Sequence, residues 1–103
     1  MAGDGKTSIW WNGKLVPYAD AKTHVLSHGL HYGTGVFEGI RAYETPTGPA
    51  IFRLREHIER LYESARAYKL PLPLPFDAVF EGCREVVRAN QLGACYLRPL
   101  VFL

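Results

Sequence analysis

GLHYGTGVFEGIRAY (Gly29–Tyr43) is the stretch whose reading decides how this chain is built. Three glycines within seven residues, Gly29, Gly33 and Gly35, are mixed with His31, Tyr32 and Thr34. Glycine lacks Cβ, so a backbone can turn through positive φ or admit a close neighbour there. The stretch then runs through Val36, Phe37, Ile40, Ala42 and Tyr43, β-branched and aromatic residues that favour a strand. A turn rich in aromatics that feeds a strand bearing Glu38 and Arg41 carries more chemistry than a core requires. It reads as part of a ligand pocket.

Working outward, Glu44–Pro49 is a turn by composition, and Ala50–Leu54 is expected to pair back as the second arm of a hairpin. From Arg55 to Lys69 the apolar positions Leu54, Ile58, Leu61, Ala65 and Tyr68 recur at helical spacing, with Arg55, Glu56, Glu59, Glu63 and Arg66 on the other face. Pro71, Pro73 and Pro75 forbid continuation of that helix. A second helix follows, with Asp77 as its expected N-cap and Val79, Cys83, Val86 and Val87 as its buried face. It ends at Gln91–Gly93, and Tyr96–Leu103 reads as one apolar strand interrupted only by Arg98.

Upstream of the central stretch, Ser8–Trp11 and Lys14–Val16 flank Asn12-Gly13, the dipeptide preferred in two-residue hairpin turns. Ala19–His28 shows no strong period and reads as loop, with a short strand near Thr23–Leu26 as the one element it admits. The order β-β-β-β-α-α-β predicts an α+β fold, a mainly antiparallel sheet with two packed helices.

Composition narrows the function classes. A chain of 103 residues is one domain, and 48% hydrophobic with 21% charged residues is a globular balance. A net charge of +2 gives no reason to expect nucleic acid or an anionic membrane as partner. No run approaches the roughly 20 apolar residues of a membrane span. The opening MAGDGKTS lacks the apolar middle of a signal peptide, which points to the cytoplasm. Cys83 and Cys95, without C-x-x-C spacing, read as reduced, small hydrophobes. The last residues, Pro-Leu-Val-Phe-Leu, form an apolar strand without a closing turn, so the chain is expected to be a piece of a longer protein.

The charged residues carry the candidate chemistry. Arg60 either sends its planar fork to a phosphate or carboxylate, or is a solvated arginine paired with Glu56 or Glu63. Arg98 follows Tyr96 by two residues, so both side chains share a face. Inside an apolar strand its guanidinium needs either an acidic partner or a cavity that receives an anion. Arg41 alternates with Phe37 and Gly39 on one face and falls under the same argument. His24, His28 and His31 raise the question of zinc, but the segment shows no ligand spacing and few nearby carboxylates, and no metal site is expected. Neither G-x-S-x-G nor a P-loop is present.

Four motifs stand in order: WNGKLVP; DAKTHVLSHGLHYGTGVFEGIRAY; IFRLREHIERL; and YLRPLVF. Together they closely resemble the N-terminal part of bacterial branched-chain amino-acid aminotransferases, fold-type IV enzymes dependent on pyridoxal 5'-phosphate. The resemblance spans nearly the whole chain. It implies that Arg60, the arginine of H-x-x-R-L, grips the cofactor phosphate. It implies that Phe37 and Gly39 line the substrate pocket, beside which Arg41 stands as a substrate-binding candidate by its place on the same strand face, and that Tyr32 reaches into the neighbouring subunit's site in a homodimer. It further implies that Tyr96 bounds an apolar side-chain pocket and that Arg98 helps recognise the distal carboxylate of glutamate. The substrates so implied are branched-chain L-amino acids and 2-oxoglutarate. One pocket that takes both an apolar side chain and a carboxylate needs an apolar wall beside a cation.

One departure is large. The family's lysine, which carries the cofactor covalently, lies in a second domain, and Lys6, Lys14, Lys22 and Lys69 stand in no matching context. The chain therefore resembles the small domain only, with no catalytic residue of its own, and the isolated 103-residue chain is expected to be inactive. Two other readings remain: a stand-alone, non-catalytic interaction module, and a D-amino-acid aminotransferase or lyase of the same fold. Tyr96 and Arg98 count against the last.

Overall fold

Asn12 and Gly13 adopt φ 50° and 101°, the paired positive values that a two-residue hairpin turn demands. They join β1 (Ser8–Trp11) to β2 (Lys14–Pro17) in register Trp11↔Lys14 and Ser8↔Pro17. The computed structural model describes residues 6–103, so most of the polar opening lies outside the described residues. After β2 a short 3-10 turn, Tyr18–Asp20, leads into loop, and the strand expected near Thr23–Leu26 does not form; Val25 and Leu26 sit in a turn. The Leu26 backbone N–H there donates to the His24 ring nitrogen Nδ1, a local bond that competes with any ladder.

The central stretch departs from expectation at its start. Residues His28–Tyr32 form a five-residue helix, α1, which Gly33 ends in the left-handed conformation while donating to the Gly29 carbonyl. The strand that follows is in two parts, β3 (Gly35–Phe37) and β4 (Ile40–Thr45). Its hairpin partner β5 spans Gly48–Ile51, so the turn narrows to Pro46-Thr47. The last strand is likewise two, β6 (Cys95–Leu97) and β7 (Leu100–Phe102). Both breaks have one cause. Phe37 faces Leu100 and Ile40 faces Leu97, so residues 38–39 lie opposite 98–99 in an unshifted register. Pro99 has no N–H to donate, and its carbonyl accepts from Glu38 instead. The ladder lapses there and resumes on each side.

Both long helices form where the apolar spacing predicts, as α2 (Leu54–Ala67) and α3 (Phe76–Ala89). Tyr68 lies past the end of α2 and is exposed rather than part of its buried face. Asp77 is not the N-cap of α3. Pro75 takes that position, because its fixed φ and missing N–H suit a helix start, and Asp77 sits in the first turn where a negative charge suits the helix dipole. Val86 is half-buried, and Gly82 takes its place on the buried face beside Val79, Cys83 and Val87.

The core lies between the helices and the inward side of the sheet. Ile40, Ile58 and Leu61 are fully enclosed there, with Val36, Leu54, Ala65 and Val79 around them. Asn90, just past α3, accepts from the Ser8 N–H and donates to the Ser8 carbonyl, which ties the first hairpin to the helix. Cys83 is a free, buried thiol pushed up to about 11 by its apolar surroundings, and Cys95 is free as well. Among the described residues no helix is long and apolar enough to cross a membrane.

Candidate functional site

In the broken strand β3–β4 the residues alternate: Val36, Glu38, Ile40 and Ala42 are buried, while Phe37 and Arg41 face outward. The outward side meets β6 in register, with Arg41 directly opposite Tyr96. The Tyr96 ring leans over Gly39, and a Cβ built on that glycine would overlap its hydroxyl oxygen. Arg98 lays its guanidinium 4.2 Å from the centre of the Phe37 ring and 5.5 Å from that of Tyr96, and donates to the Tyr96 hydroxyl at 3.1 Å. One face thus gathers Phe37, Gly39, Arg41, Tyr96 and Arg98, with Phe37 57% and Tyr96 54% exposed.

Arg98 differs from its expected setting. It is exposed and has no acidic partner among the described residues; two aromatic faces hold it. The reason is the lapse in the strand, which leaves residue 98 beyond the end of β6 and open to water.

Behind that face lies a second group. Glu38, only 5% exposed, points inward between Phe37 and Gly39 towards α2. Arg60 donates from Nε to its Oε2 and from Nη2 to its Oε1, each at 2.8 Å, a side-on bidentate pair. His57 donates from Nδ1 to Oε1, also at 2.8 Å. The hydrogen bonds from Arg60 hold the Glu38 carboxyl below the usual carboxylate range against the upward push of burial, and His57 adds to that hold. Of the two settings expected for Arg60, the fork reaches a carboxylate, that of Glu38, and not the helix neighbours Glu56 or Glu63; Glu56 pairs with Arg53 at 3.2 Å. The Arg60 side chain is 66% exposed. Of a guanidinium's five N–H donors two are engaged by Glu38, which leaves three for a ligand.

Tyr32 stands apart on α1, 74% exposed, its ring 4.4 Å from that of His28. Each of the three clustered histidines has a local partner: His24 accepts from Leu26, His28 meets the Thr34 hydroxyl, and His31 meets the Val25 carbonyl. None of the four lysines stands on β3, β4 or β6. Two surface hollows lie elsewhere, one between the β4–β5 turn and the end of α3, the other on α2 beside Glu59 and Tyr62. With Phe37, Arg41, Tyr96 and Arg98 all exposed, the gathered residues form an open face.

Glu38 and His57 are absent from the sequence-derived site. One signal was available: His57 and Arg60 are three apart and share a face of α2. Their common acceptor lies 22 residues before Arg60, and only the fold brings it there.

The amino-transferase class IV family profile matches residues 35–103. The chain is 53% identical over 95 residues to the branched-chain-amino-acid aminotransferase of Escherichia coli (strain K12), covering 92% of this chain and 31% of that protein. The Salmonella typhimurium enzyme of the same name is 54% identical over the same coverage. The fold of this chain is similar to that of the T.th. branched-chain amino acid aminotransferase complexed with N-(5'-phosphopyridoxyl)-L-glutamate, at TM-score 0.91 and 55% identity, covering 94% of this chain and 33% of that one. The chain spans about a third of the length of the curated relatives it matches.

Proposed function

This chain belongs to the amino-transferase class IV family, and from that premise we propose that it is the N-terminal small domain of a branched-chain amino-acid transaminase. The reaction would move the amino group of leucine, isoleucine or valine to 2-oxoglutarate in the cytoplasm. The observation that carries this reading is the aromatic face with a cation set into it. Phe37 and Tyr96 offer an apolar wall, and Arg98 sits over both rings with N–H donors left, beyond the one that meets the Tyr96 hydroxyl, for a carboxylate. One surface can then accept an apolar side chain and, in the other half of the exchange, an anionic one.

Pyridoxal 5'-phosphate fits the donor set, since Arg60 presents three unengaged N–H groups on a fork held side-on by Glu38. Bound, the cofactor would supply the electron sink that amino-group transfer needs. The residues of this chain would hold and orient: Arg60 the phosphate, Phe37, Gly39 and Tyr96 the apolar side chain, Arg41 and Arg98 the carboxylate. The covalent lysine is assigned to the part of the protein outside these residues, and Tyr32, exposed on α1, to the neighbouring subunit's pocket in a homodimer.

The test is a substrate panel on the full-length protein containing this chain. L-Leucine with 2-oxoglutarate should turn over and D-alanine should not. Arg98→Met should raise KM for 2-oxoglutarate by about tenfold or more while leaving KM for L-leucine nearly unchanged. Preference for D-alanine, or equal effects of Arg98→Met on both substrates, would defeat the assignment.

A further inference from the structure

We propose that Glu38 is a positioning residue for the phosphate clamp: it fixes the Arg60 fork in the orientation that binds the cofactor. The inference rests on the reading of Arg60 as the phosphate ligand and adds the residue through which that ligand is aimed.

The geometry behind it is specific. A carboxylate 5% exposed is set into the inner side of the sheet in the short interval where the ladder lapses. Nothing in the core requires a charge there; its neighbours Val36 and Ile40 are apolar and buried. Taking a carboxylate out of water is costly, and what offsets that cost is three hydrogen bonds, two from Arg60 and one from His57. Both donors come from α2, one turn apart, so the helix and the strand break are locked together through this one side chain.

The consequence falls on Arg60. Its side chain is largely exposed, and an exposed arginine without a partner samples many rotamers, so selecting one costs side-chain entropy. A side-on pair engages Nε and one edge of Nη2, which fixes the plane of the guanidinium and directs Nη1 away from Glu38. The entropic cost of aiming the fork is then met during folding and not on ligand binding. His57 keeps the carboxylate from swinging, since it occupies the same Oε1 that Nη2 uses.

An opposing effect decides the sign. The negative charge of Glu38 offsets part of the attraction of Arg60 for a phosphate. If that Coulomb penalty outweighed the gain from orientation, removing the charge would tighten phosphate binding. Because Arg60 is 66% exposed, water screens the Coulomb contribution, and orientation is expected to win.

The experiment measures affinity of the full-length protein for two probes, pyridoxal 5'-phosphate and pyridoxal, which lacks the phosphate. Their affinity ratio isolates the clamp. Arg60→Ala should collapse the ratio; if it does not, the phosphate reading of Arg60 fails and the proposal falls with it. Given that collapse, Glu38→Gln should lower the ratio roughly tenfold, the scale of a lost outer-shell partner, with pyridoxal affinity unchanged. It should add nothing in the Arg60→Ala background. An unchanged or increased ratio in Glu38→Gln overturns the proposal while leaving the clamp in place. Equal loss of both probes also overturns it, since that is the mark of general damage. Should Glu38→Gln not fold, Glu38→Asp keeps the charge but withdraws it by one methylene; it too should lower the ratio, and an unaltered ratio there is equally fatal.

Discussion

Gly39 shows how much one missing atom decides. The Tyr96 hydroxyl occupies the place where a Cβ would stand, and there it accepts from Arg98. The overlap would fall on the outer end of a half-exposed side chain, which can swing away into water at little cost. Gly39→Ala is therefore expected to change folding stability by no more than about 1 kcal/mol while turning Tyr96 off the face. If the full-length protein is the transaminase proposed above, the measure is kcat/KM for L-leucine, which should fall at least about tenfold with the thermal midpoint nearly unmoved. A matching collapse of stability and activity would mean that Gly39 serves the backbone and not the ring. At this scale the residues of the outward face were legible, because the alternation of a strand places 37, 39 and 41 together. Glu38, next to two of them, was not: a lone carboxylate in a strand pattern says nothing about which helix will supply its donors.

The first hairpin packs closely on α3. Gly82 lies in the middle of that helix, a position where glycine costs about 1 kcal/mol relative to alanine. The structure supplies the reason, since the Trp10 indole packs where a Cβ would be, its bicyclic core and not a flexible end. Gly82→Ala would gain helix propensity and lose more through overpacking, about 1–3 kcal/mol. The expected outcome is a lower urea midpoint together with an altered tryptophan emission, and the loss of midpoint caused by Gly82→Ala should largely vanish in a Trp10→Leu background. Stabilisation by Gly82→Ala alone would show that the contact yields. The two long helices were legible because their apolar spacing persists over four turns. The short ones and the strand breaks were not. α1 depends on Gly33 closing five residues into a helical turn, and the lapse in both long strands depends on Pro99 facing Glu38 across a register that periodicity does not contain.

The molecule as a whole rests on a small core. Ile58 is fully enclosed at the point where α2 meets the sheet and α3, and Ile58→Ala should cost about 2–5 kcal/mol. That is a large part of the roughly 5–15 kcal/mol that holds a domain folded, so the variant should lose much of its urea or thermal resistance. Glu59→Ala, next in the chain but exposed, should stay within about 0.5 kcal/mol and serves as the control. A mild effect at Ile58 would place the organising core elsewhere. Outside that core Val25, Leu26, Leu30, Tyr32, Phe37 and Tyr96 are all more than half exposed.

By itself the sequence determined the α+β class, the two helices, the first hairpin and the family to which the chain belongs, since each follows from local spacing or from contiguous motifs. The tertiary structure alone decided which acid Arg60 binds, that Arg98 rests on aromatic faces in open water, and that two strands break at one level. Those are long-range pairings. A side chain's partner across the fold depends on the register and approach of elements distant in the chain, and no periodicity within either element encodes it.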